Sequence, residues 1–256
     1  MDTLTLVLLC LFAFSAGFVD AIAGGGGLIQ TPAALILLPQ LPVATVIGSL
    51  KVPAFTGTAF AAWQYVKQVK IKWSLAFIMC MTAFLAAFAG SEILTLVSNQ
   101  YMKPIIFLVL IIVALYTYTK KNFGQHTHTK LSVQQEISYA LIISIGIGFY
   151  DGFIGPGAGS FLVLAFISLL GFDFLHASAN AKIINLSTNF GSIVLFLLKG
   201  TILWHIAIPM AICNGLGGIL GARLAIKNGN KFIRIFFLLI ISATLLRFGY
   251  DVFFRN

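Results

Sequence analysis

Two acidic and two basic residues occupy equivalent places in a 35-residue passage that occurs twice in the chain. Asp20 and Lys51 in the first copy correspond to Asp151 and Lys182 in the second. Each residue of the first copy has its counterpart 131 positions later without a gap, and nine of the 35 pairs are identical. An ionised side chain within apolar membrane sequence costs about 2.5–3.5 kcal/mol on insertion scales. Two symmetric examples therefore require partners or a function.

The chemistry that these four charges suggest is anion binding coupled to proton transfer. Lys51 and Lys182 lie about eight residues inside apolar helices, where two ammonium groups would attract an anion. Asp20 and Asp151 would then offset the lysines in the empty state and exchange protons when an anion binds, because losing an opposite charge disfavours the ionised carboxylate. The alternatives are a neutralised structural pair of each lysine with an aspartate, or an aspartate that caps the adjacent glycine turn.

Each copy, 17–51 and 148–182, also places a glycine cluster directly after the aspartate and follows it with a short apolar segment. The short segments 28–38 and 160–171 cannot span a hydrocarbon core of about 30 Å at 1.5 Å per residue. Interrupted segments of this kind must be buried in protein or line a wet cavity, and transporters use them for binding. The predicted backbone contributors to a substrate site are Gly24, Gly25, Gly26, Gly27, Gly155, Gly157 and Gly159.

The helix that carries Lys182 is unusually polar for a membrane span, and two of its carboxamides complete the predicted site. Asn185 and Asn189 are the candidates for contact with the substrate. Small polar residues also hold membrane helices together, so packing is the alternative for either one. Asn214, which stands beside several glycines, is assigned to helix packing.

The composition excludes a water-soluble domain. Hydrophobic residues make up 59% of the chain and charged residues 9%, against about 25% charged in soluble proteins; the mean hydropathy is +1.01. The net charge of +9 lies mostly between apolar segments, where it marks cytoplasmic loops rather than a nucleic-acid surface. The expected environment is therefore the lipid bilayer, with no nucleic-acid partner.

We predict an all-α polytopic membrane protein with two repeats, each made of four full spans and one short broken or re-entrant helix. Repeat 1 covers 1–119, a cytoplasmic linker covers 120–136, and repeat 2 covers 137–256. The full spans are predicted at 4–23, 43–66, 73–94, 102–119, 137–154, 174–198, 202–224 and 232–254.

Charge placement predicts that the repeats have inverted topology. Three basic clusters lie at 67–72, 120–130 and 223–234, and the positive-inside rule places all three in the cytoplasm. Under the 131-residue offset, the basic loop 67–72 corresponds to a segment that is mostly apolar, and Glu92 corresponds to Arg223. Equivalent loops therefore face opposite sides of the membrane, as in inverted repeats.

The passages GFVDAIAGGGG and GFYDGFIGPGAGS, each followed by a short apolar segment and a lysine-bearing helix, resemble the TauE/SafE family over essentially the whole chain. The resemblance implies a multi-pass permease of the bacterial cytoplasmic membrane that exports small sulfur-containing or organic anions, such as sulfite or sulfonates. The chain departs from perfect symmetry, with GGGG in one half and GPGAG in the other.

Two other classes of function remain open at this point. A passive anion channel would use the same residues as a transporter. An intramembrane enzyme would need a nucleophile and base or a histidine–acid cluster, whereas His176 and His205 have no repeated partner, and His126 and His128 are interpreted as part of a solvated loop. We therefore predict no enzymatic activity, no cofactor and no metal site.

Overall fold

The computed structural model describes residues 2–101, 104, 105, 108 and 131–254, with side chains up to 236 except 234. This part of the chain is helical, without strands. Its helices, in chain order, are α1 (Thr3–Ala23), α2 (Gly27–Leu37), α3 (Val43–Val66), α4 (Trp73–Leu96), α5 (Val133–Phe153), α6 (Ala158–Leu170), α7 (Phe174–Leu198) and α8 (Trp204–Phe254).

The all-α membrane architecture is confirmed. Five helices in the described part are long and apolar enough to cross a membrane, namely α1, α3, α4, α7 and the segment Trp204–Ile233 of α8. The short helices α2 and α6 follow the two glycine clusters, as the sequence predicts. The predicted span at 102–119 and the histidines of the linker lie outside the described residues, apart from 104, 105 and 108.

Two helix boundaries differ from the predicted ones. α5 begins at Val133 because Ser132 and Gln135 form a capping box, in which each side chain bonds the other residue's backbone. The two spans predicted at 202–224 and 232–254 correspond to two helical segments of α8 that meet at a kink at Gly229 (φ 67°, ψ −162°). The first segment continues past its predicted end at 224, and the helix breaks only at the asparagine–glycine sequence at 228–229.

The closest helix packing occurs between the two halves of the chain. α1 packs against α8, and α5 packs against α4. At Gly221 of α8 an added Cβ would lie 2.3 Å from the carbonyl oxygen of Phe18, and at Gly90 of α4 it would lie 2.2 Å from that of Phe149. Both differences, 221 − 90 and 149 − 18, equal 131. The equivalent contacts are those that a duplication would produce, while the inverted orientation stays a prediction.

Contacts at the helix ends join segments that the charge pattern assigns to the same side of the membrane. Lys199 lies in the segment equivalent to the cytoplasmic loop 67–72, and Glu92 is equivalent to the cytoplasmic Arg223. Inverted repeats therefore place both outside, and they form an ion pair of 2.8 Å. Lys72 and Glu136, both predicted to be cytoplasmic, form another. The largest apolar cluster of buried residues surrounds α6, where residues such as Phe166 are almost completely buried.

Candidate functional site

The two breaks in the helices touch each other at the interface between the halves. The Ser160 amide donates a hydrogen bond to the carbonyl of Gly24 at 2.9 Å, and the Ser160 hydroxyl donates to that of Ala23 at 2.9 Å. Gly24 adopts a left-handed φ of 77°, and a Cβ there would lie 2.3 Å from the carbonyl carbon of Gly159. Only glycine combines this dihedral with such a close backbone approach.

The short helices begin at this crossing. α2 starts at Gly27 and α6 at Ala158, so their first amides have no acceptor within their own helix. Gly157 supplies the left-handed turn before α6 (φ 85°), and the Tyr150 hydroxyl fixes the same turn by donating to the Pro156 carbonyl at 2.5 Å. Two helix N-termini, each with a partial positive charge, therefore meet near one point.

Each of the two lysines pairs with the aspartate of the other repeat. Lys51 Nζ lies 2.8 Å from Asp151 Oδ1 and also donates to the Asp151 carbonyl oxygen at 2.6 Å. Lys182 Nζ lies 2.9 Å from Asp20 Oδ2. The two pairs are related by exchange of the repeats, and the four formal charges sum to zero. This arrangement neutralises groups that would be costly to bury alone.

The two aspartates have different surroundings. Asp151 also accepts hydrogen bonds from the Asn185 amide at 3.0 Å and from the Thr188 hydroxyl. Asp20 has only a long contact of 3.4 Å to the Thr58 hydroxyl besides Lys182. Its side chain is 18% exposed, against 5% for Asp151.

A polar cavity of about 60 Å³ lies between the breaks and the ion pairs. One water needs about 10–15 Å³ by this measure, so the space fits roughly four waters or one ion of a few atoms. Its walls come from both halves of the chain. Of the predicted site residues, the cavity is lined by Asp20, Gly24, Gly26, Gly27, Lys51, Asp151, Gly155, Gly157, Gly159, Asn185 and Asn189.

Two predicted binding residues do not line the cavity. Lys182 is completely buried behind Asp20, and Gly25 is absent from the wall although its neighbours are present. The cavity therefore presents one lysine rather than a symmetric pair. Both lysines lie eight residues after the first residue of their helices, Val43 and Phe174, but only packing decides which of the two faces the cavity.

Four further polar residues of the wall were not predicted to belong to the site. Gln30 and Thr31 lie on α2, Thr58 lies on α3, and Asn214, which the sequence assigned to packing, lies on α8. Asn214 donates to the Gln30 side chain at 2.8 Å, and Gln30 donates to the Leu50 carbonyl at 3.1 Å. A glutamine one turn after a glycine break in an otherwise apolar helix is the sequence signal that could have identified this wall.

The described residues contain no group of three histidine, cysteine or acidic side chains placed to hold a metal ion. Cys10, Cys80 and Cys213 are free, partly buried thiols. The chemistry available in the cavity is therefore that of amide and hydroxyl donors, one ammonium group and two carboxylates.

Comparison with known proteins agrees with this architecture. A family profile described as "Sulfite exporter TauE/SafE" matches residues 9–248. A probable membrane transporter protein of Haemophilus influenzae is 35% identical over 229 residues, which cover 89% of this chain and 88% of the relative. The probable membrane transporter protein ORF9 of Sinorhizobium is 34% identical, covering 94% and 91%. YfcA of Escherichia coli K12, also named a probable membrane transporter, is 31% identical, covering 98% and 92%. No solved structure matches the chain.

Proposed function

Because the chain belongs to the TauE/SafE family of membrane transporters, we propose that it exports small sulfur-containing or organic anions, such as sulfite or sulfonates, across the bacterial cytoplasmic membrane in a proton-coupled manner. The observation that carries this proposal is the polar cavity at the crossing of the two broken helices, with Lys51 in its wall. Discontinuous helices whose N-termini point at an anion are a recurring way for transporters to bind it.

Lys51 has one donor left for a ligand. An ammonium group has three N–H donors, and Asp151 accepts two of them, one on its side chain and one on its backbone. The third, with the second N–H of the Asn214 amide, which also lines the cavity, would bind oxygens of a small anion. Charge-assisted hydrogen bonds of this kind are about twice as strong as neutral ones.

The backbone would add to this binding through the first turns of α2 and α6. Gly26, Gly27 and Gly157 line the cavity, whereas the Ala158 amide already donates to the Gly155 carbonyl at 3.1 Å. Amides of a helix N-terminus form a natural anion site, worth typically about 0.3–1 kcal/mol for a charge at one terminus and up to about 2 kcal/mol where partly buried.

Coupling to protons would follow from the neutral charge balance of the cluster. An anion that enters a neutral, water-poor site adds an uncompensated charge, which is costly in a low-dielectric environment. An anion in the cavity would also place a negative charge near the carboxylates that line it, and a nearby like charge favours the protonated form of a carboxyl group. Substrate and proton would then move together without any additional ionisable residue.

Transport into proteoliposomes tests the proposal directly. Purified protein is reconstituted, and uptake of radiolabelled sulfite, methanesulfonate and acetate is measured with and without a pH gradient. We expect saturable uptake of at least one sulfur anion that the pH gradient stimulates. Uptake of none of these anions above that of protein-free liposomes would refute the proposed substrates, and a conductance far above carrier rates would identify a channel instead.

Two lysine variants locate the site. Lys51→Ala is expected to weaken binding of the transported anion more than it lowers the amount of folded protein in the membrane. Lys199→Ala is the matched control, because Lys199 forms an exposed ion pair with Glu92 at the helix ends, away from the cavity. Equal affinity in the two variants would make Lys51 a structural residue.

A further inference from the structure

We infer that the two carboxylates of the cluster have different roles: Asp20 takes up and releases the coupled proton, whereas Asp151 stays ionised as the fixed partner of Lys51. The inference rests on the proposed proton-coupled transport and names the residue that carries the proton. It contrasts with the equal roles that the duplicated sequence suggests.

Both side-chain oxygens of Asp151 accept hydrogen bonds. Its side-chain oxygens accept from Lys51 at 2.8 Å, from the Asn185 amide at 3.0 Å and from the Thr188 hydroxyl. Hydrogen bonds to the charged form and a nearby cation both favour ionisation. Protonation would turn one of these acceptor oxygens into a donor and leave a buried donor without its partner, which adds a further cost.

Asp20 lacks most of these donors. Lys182 approaches one oxygen at 2.9 Å, and the Thr58 hydroxyl stands 3.4 Å away, beyond the usual range of about 2.5–3.0 Å for such a bond. The carboxylate lines the cavity and is more than three times as exposed as that of Asp151, at 18% against 5%. Water or a substrate in the cavity can therefore reach it.

The two copies of the repeat carry different residues at the positions that supply these donors. The positions that correspond to Asn185 and Thr188, 131 residues earlier, are Ala54 and Gly57. Neither has a side-chain donor. Gly57 is closely packed, because a Cβ there would lie 1.9 Å from Asn214 Oδ1 and 3.0 Å from the Asn214 backbone carbonyl oxygen. The asymmetry is thus a property of the packed structure and not of one rotamer.

The groups that face Asp20 support a proton site at this carboxylate. Lys182, on α7, provides the positive charge next to Asp20. The Tyr65 hydroxyl, on α3, donates to the nearby Ala21 carbonyl at 3.0 Å. Across the cavity stand Lys51 and Asp151. The other helices packed against α1 are α2, α6 and α8. α2 and α6 contain no titratable residue. In α8 the described ionisable side chains, apart from the partly buried Cys213, are exposed: His205, Arg223, Lys227 and Lys231.

Protonation of Asp20 also sets how much charge is moved in each transport cycle. The cluster of two lysines and two aspartates is neutral, so one proton on the Asp20 carboxylate leaves a single excess positive charge. One monoanion in the cavity restores neutrality. A proton and a monoanion that bind together and leave together transfer no net charge, so transport by the wild-type protein is expected to be insensitive to membrane potential.

Infrared spectroscopy of the purified full-length protein tests the assignment without any substrate. The absorption of a protonated carboxyl group is followed as the pH is lowered from neutral. Because the other five acidic residues of the chain contribute to every spectrum, the variants are compared as differences from the wild type. We expect a band in the wild-type minus Asp20→Asn difference and none in the wild-type minus Asp151→Asn difference, whereas Asp151→Asn is expected to show its defect as a lower melting temperature. A difference band that is absent for Asp20→Asn, or present only for Asp151→Asn, would overturn the inference.

A second pair of variants keeps all four charges and tests the assignment even if Asp20→Asn does not fold. Ala54→Asn places beside Asp20 the amide that Asn185 supplies to Asp151, and Ala54 already lines the cavity. The band should then appear only at lower pH. Ala54→Leu has a similar size but no donor, so it should titrate at the wild-type pH. Equal titration of the two variants would also overturn the assignment.

Flux measurements separate this inference from the proposed function. The neutral amide introduced by Asp20→Asn mimics the protonated carboxyl, so methanesulfonate flux through this variant should lose its pH dependence and become dependent on an imposed membrane potential. Flux that keeps its pH dependence in the variant contradicts the inference while the proposed transport stands. Wild-type protein that titrates at Asp20 but carries no anion of the panel supports the assignment and refutes the proposed substrates.

Discussion

Replacing Gly24 by alanine tests whether the crossing of the two breaks holds the halves of the protein together. Gly24 has a left-handed φ of 77°, and an added Cβ would meet backbone atoms at 2.3 Å (Gly159 carbonyl carbon) and 2.5 Å (Ser160 nitrogen). Because these neighbours are backbone and not flexible side-chain ends, the clash can be relieved only by moving one break away from the other.

The expected cost follows from three contributions. The left-handed conformation costs a non-glycine residue about 1–2 kcal/mol. Overpacking at a tightly packed position costs about 1–3 kcal/mol. Separating the breaks also weakens the two hydrogen bonds that Ser160 donates to Gly24 and Ala23, each worth about 0.5–1.5 kcal/mol. If these contributions add, Gly24→Ala is destabilised by about 3–8 kcal/mol.

Two other glycines supply matched controls. Gly200 has a left-handed φ of 64° but no neighbour within 4 Å of an added Cβ, so Gly200→Ala isolates the conformational cost. Gly146 lies within α5 with no neighbour within 4 Å and no unusual φ. Gly146→Ala should be stabilised by about 0.5–1 kcal/mol, because glycine loses more backbone entropy in a helix.

The assay is the melting temperature of the purified variants in one detergent, together with uptake into proteoliposomes. A change of 1 kcal/mol shifts the melting temperature by about 2–4 °C in chains of this size, so Gly24→Ala should melt at least about 6 °C lower and transport poorly. If Gly24→Ala and Gly200→Ala melt at the same temperature, the close approach of the breaks does not contribute to stability and the reasoning fails.

Three further predictions concern topology and the contacts between halves. In a protein with its three cysteines replaced, a cysteine at Asn99 should be labelled from outside and one at Asn228 from the cytoplasm; labelling of both from one side would rule out inverted repeats. Lys51→Met should cost about 3–5 kcal/mol by leaving a buried charge unpaired, and most of it should return in Lys51→Met with Asp151→Asn, as measured by melting temperature; a double variant no more stable than the single would contradict the pairing. Ser160→Ala should lower the free energy of unfolding by about 0.5–1.5 kcal/mol, because it loses the hydrogen bond to the Ala23 carbonyl. An unchanged melting temperature would show that this bond does not contribute to stability.

The sequence by itself determined the membrane class and most helix boundaries. The predicted spans 43–66 and 174–198 coincide with the helices Val43–Val66 and Phe174–Leu198. Such boundaries are local: an apolar run of about 20 residues needs to be helical in lipid, and glycine and proline clusters end it. In α8 the first predicted span continues a few residues past 224, and the kink at Gly229 still separates it from the second predicted span.

The internal duplication also identified the four charged residues, because a charge kept in both copies of an apolar repeat stands out against its surroundings. What the sequence left open was the pairing. Asp20 and Lys51 belong to the same copy of the repeat, yet the structure pairs Lys51 with Asp151 and Lys182 with Asp20.

Only the tertiary structure decided which carboxylate faces which lysine, and which of the four groups reaches the cavity. Ion pairs and hydrogen bonds depend on distances of a few ångströms between atoms, and those distances are set by how α3 and α7 pack against helices of the other half. The same packing places Asn214 and Gln30 in the cavity wall and encloses Lys182. A repeat in sequence specifies equivalent residues, whereas the contacts around each copy make Asp20 and Asp151 physically different.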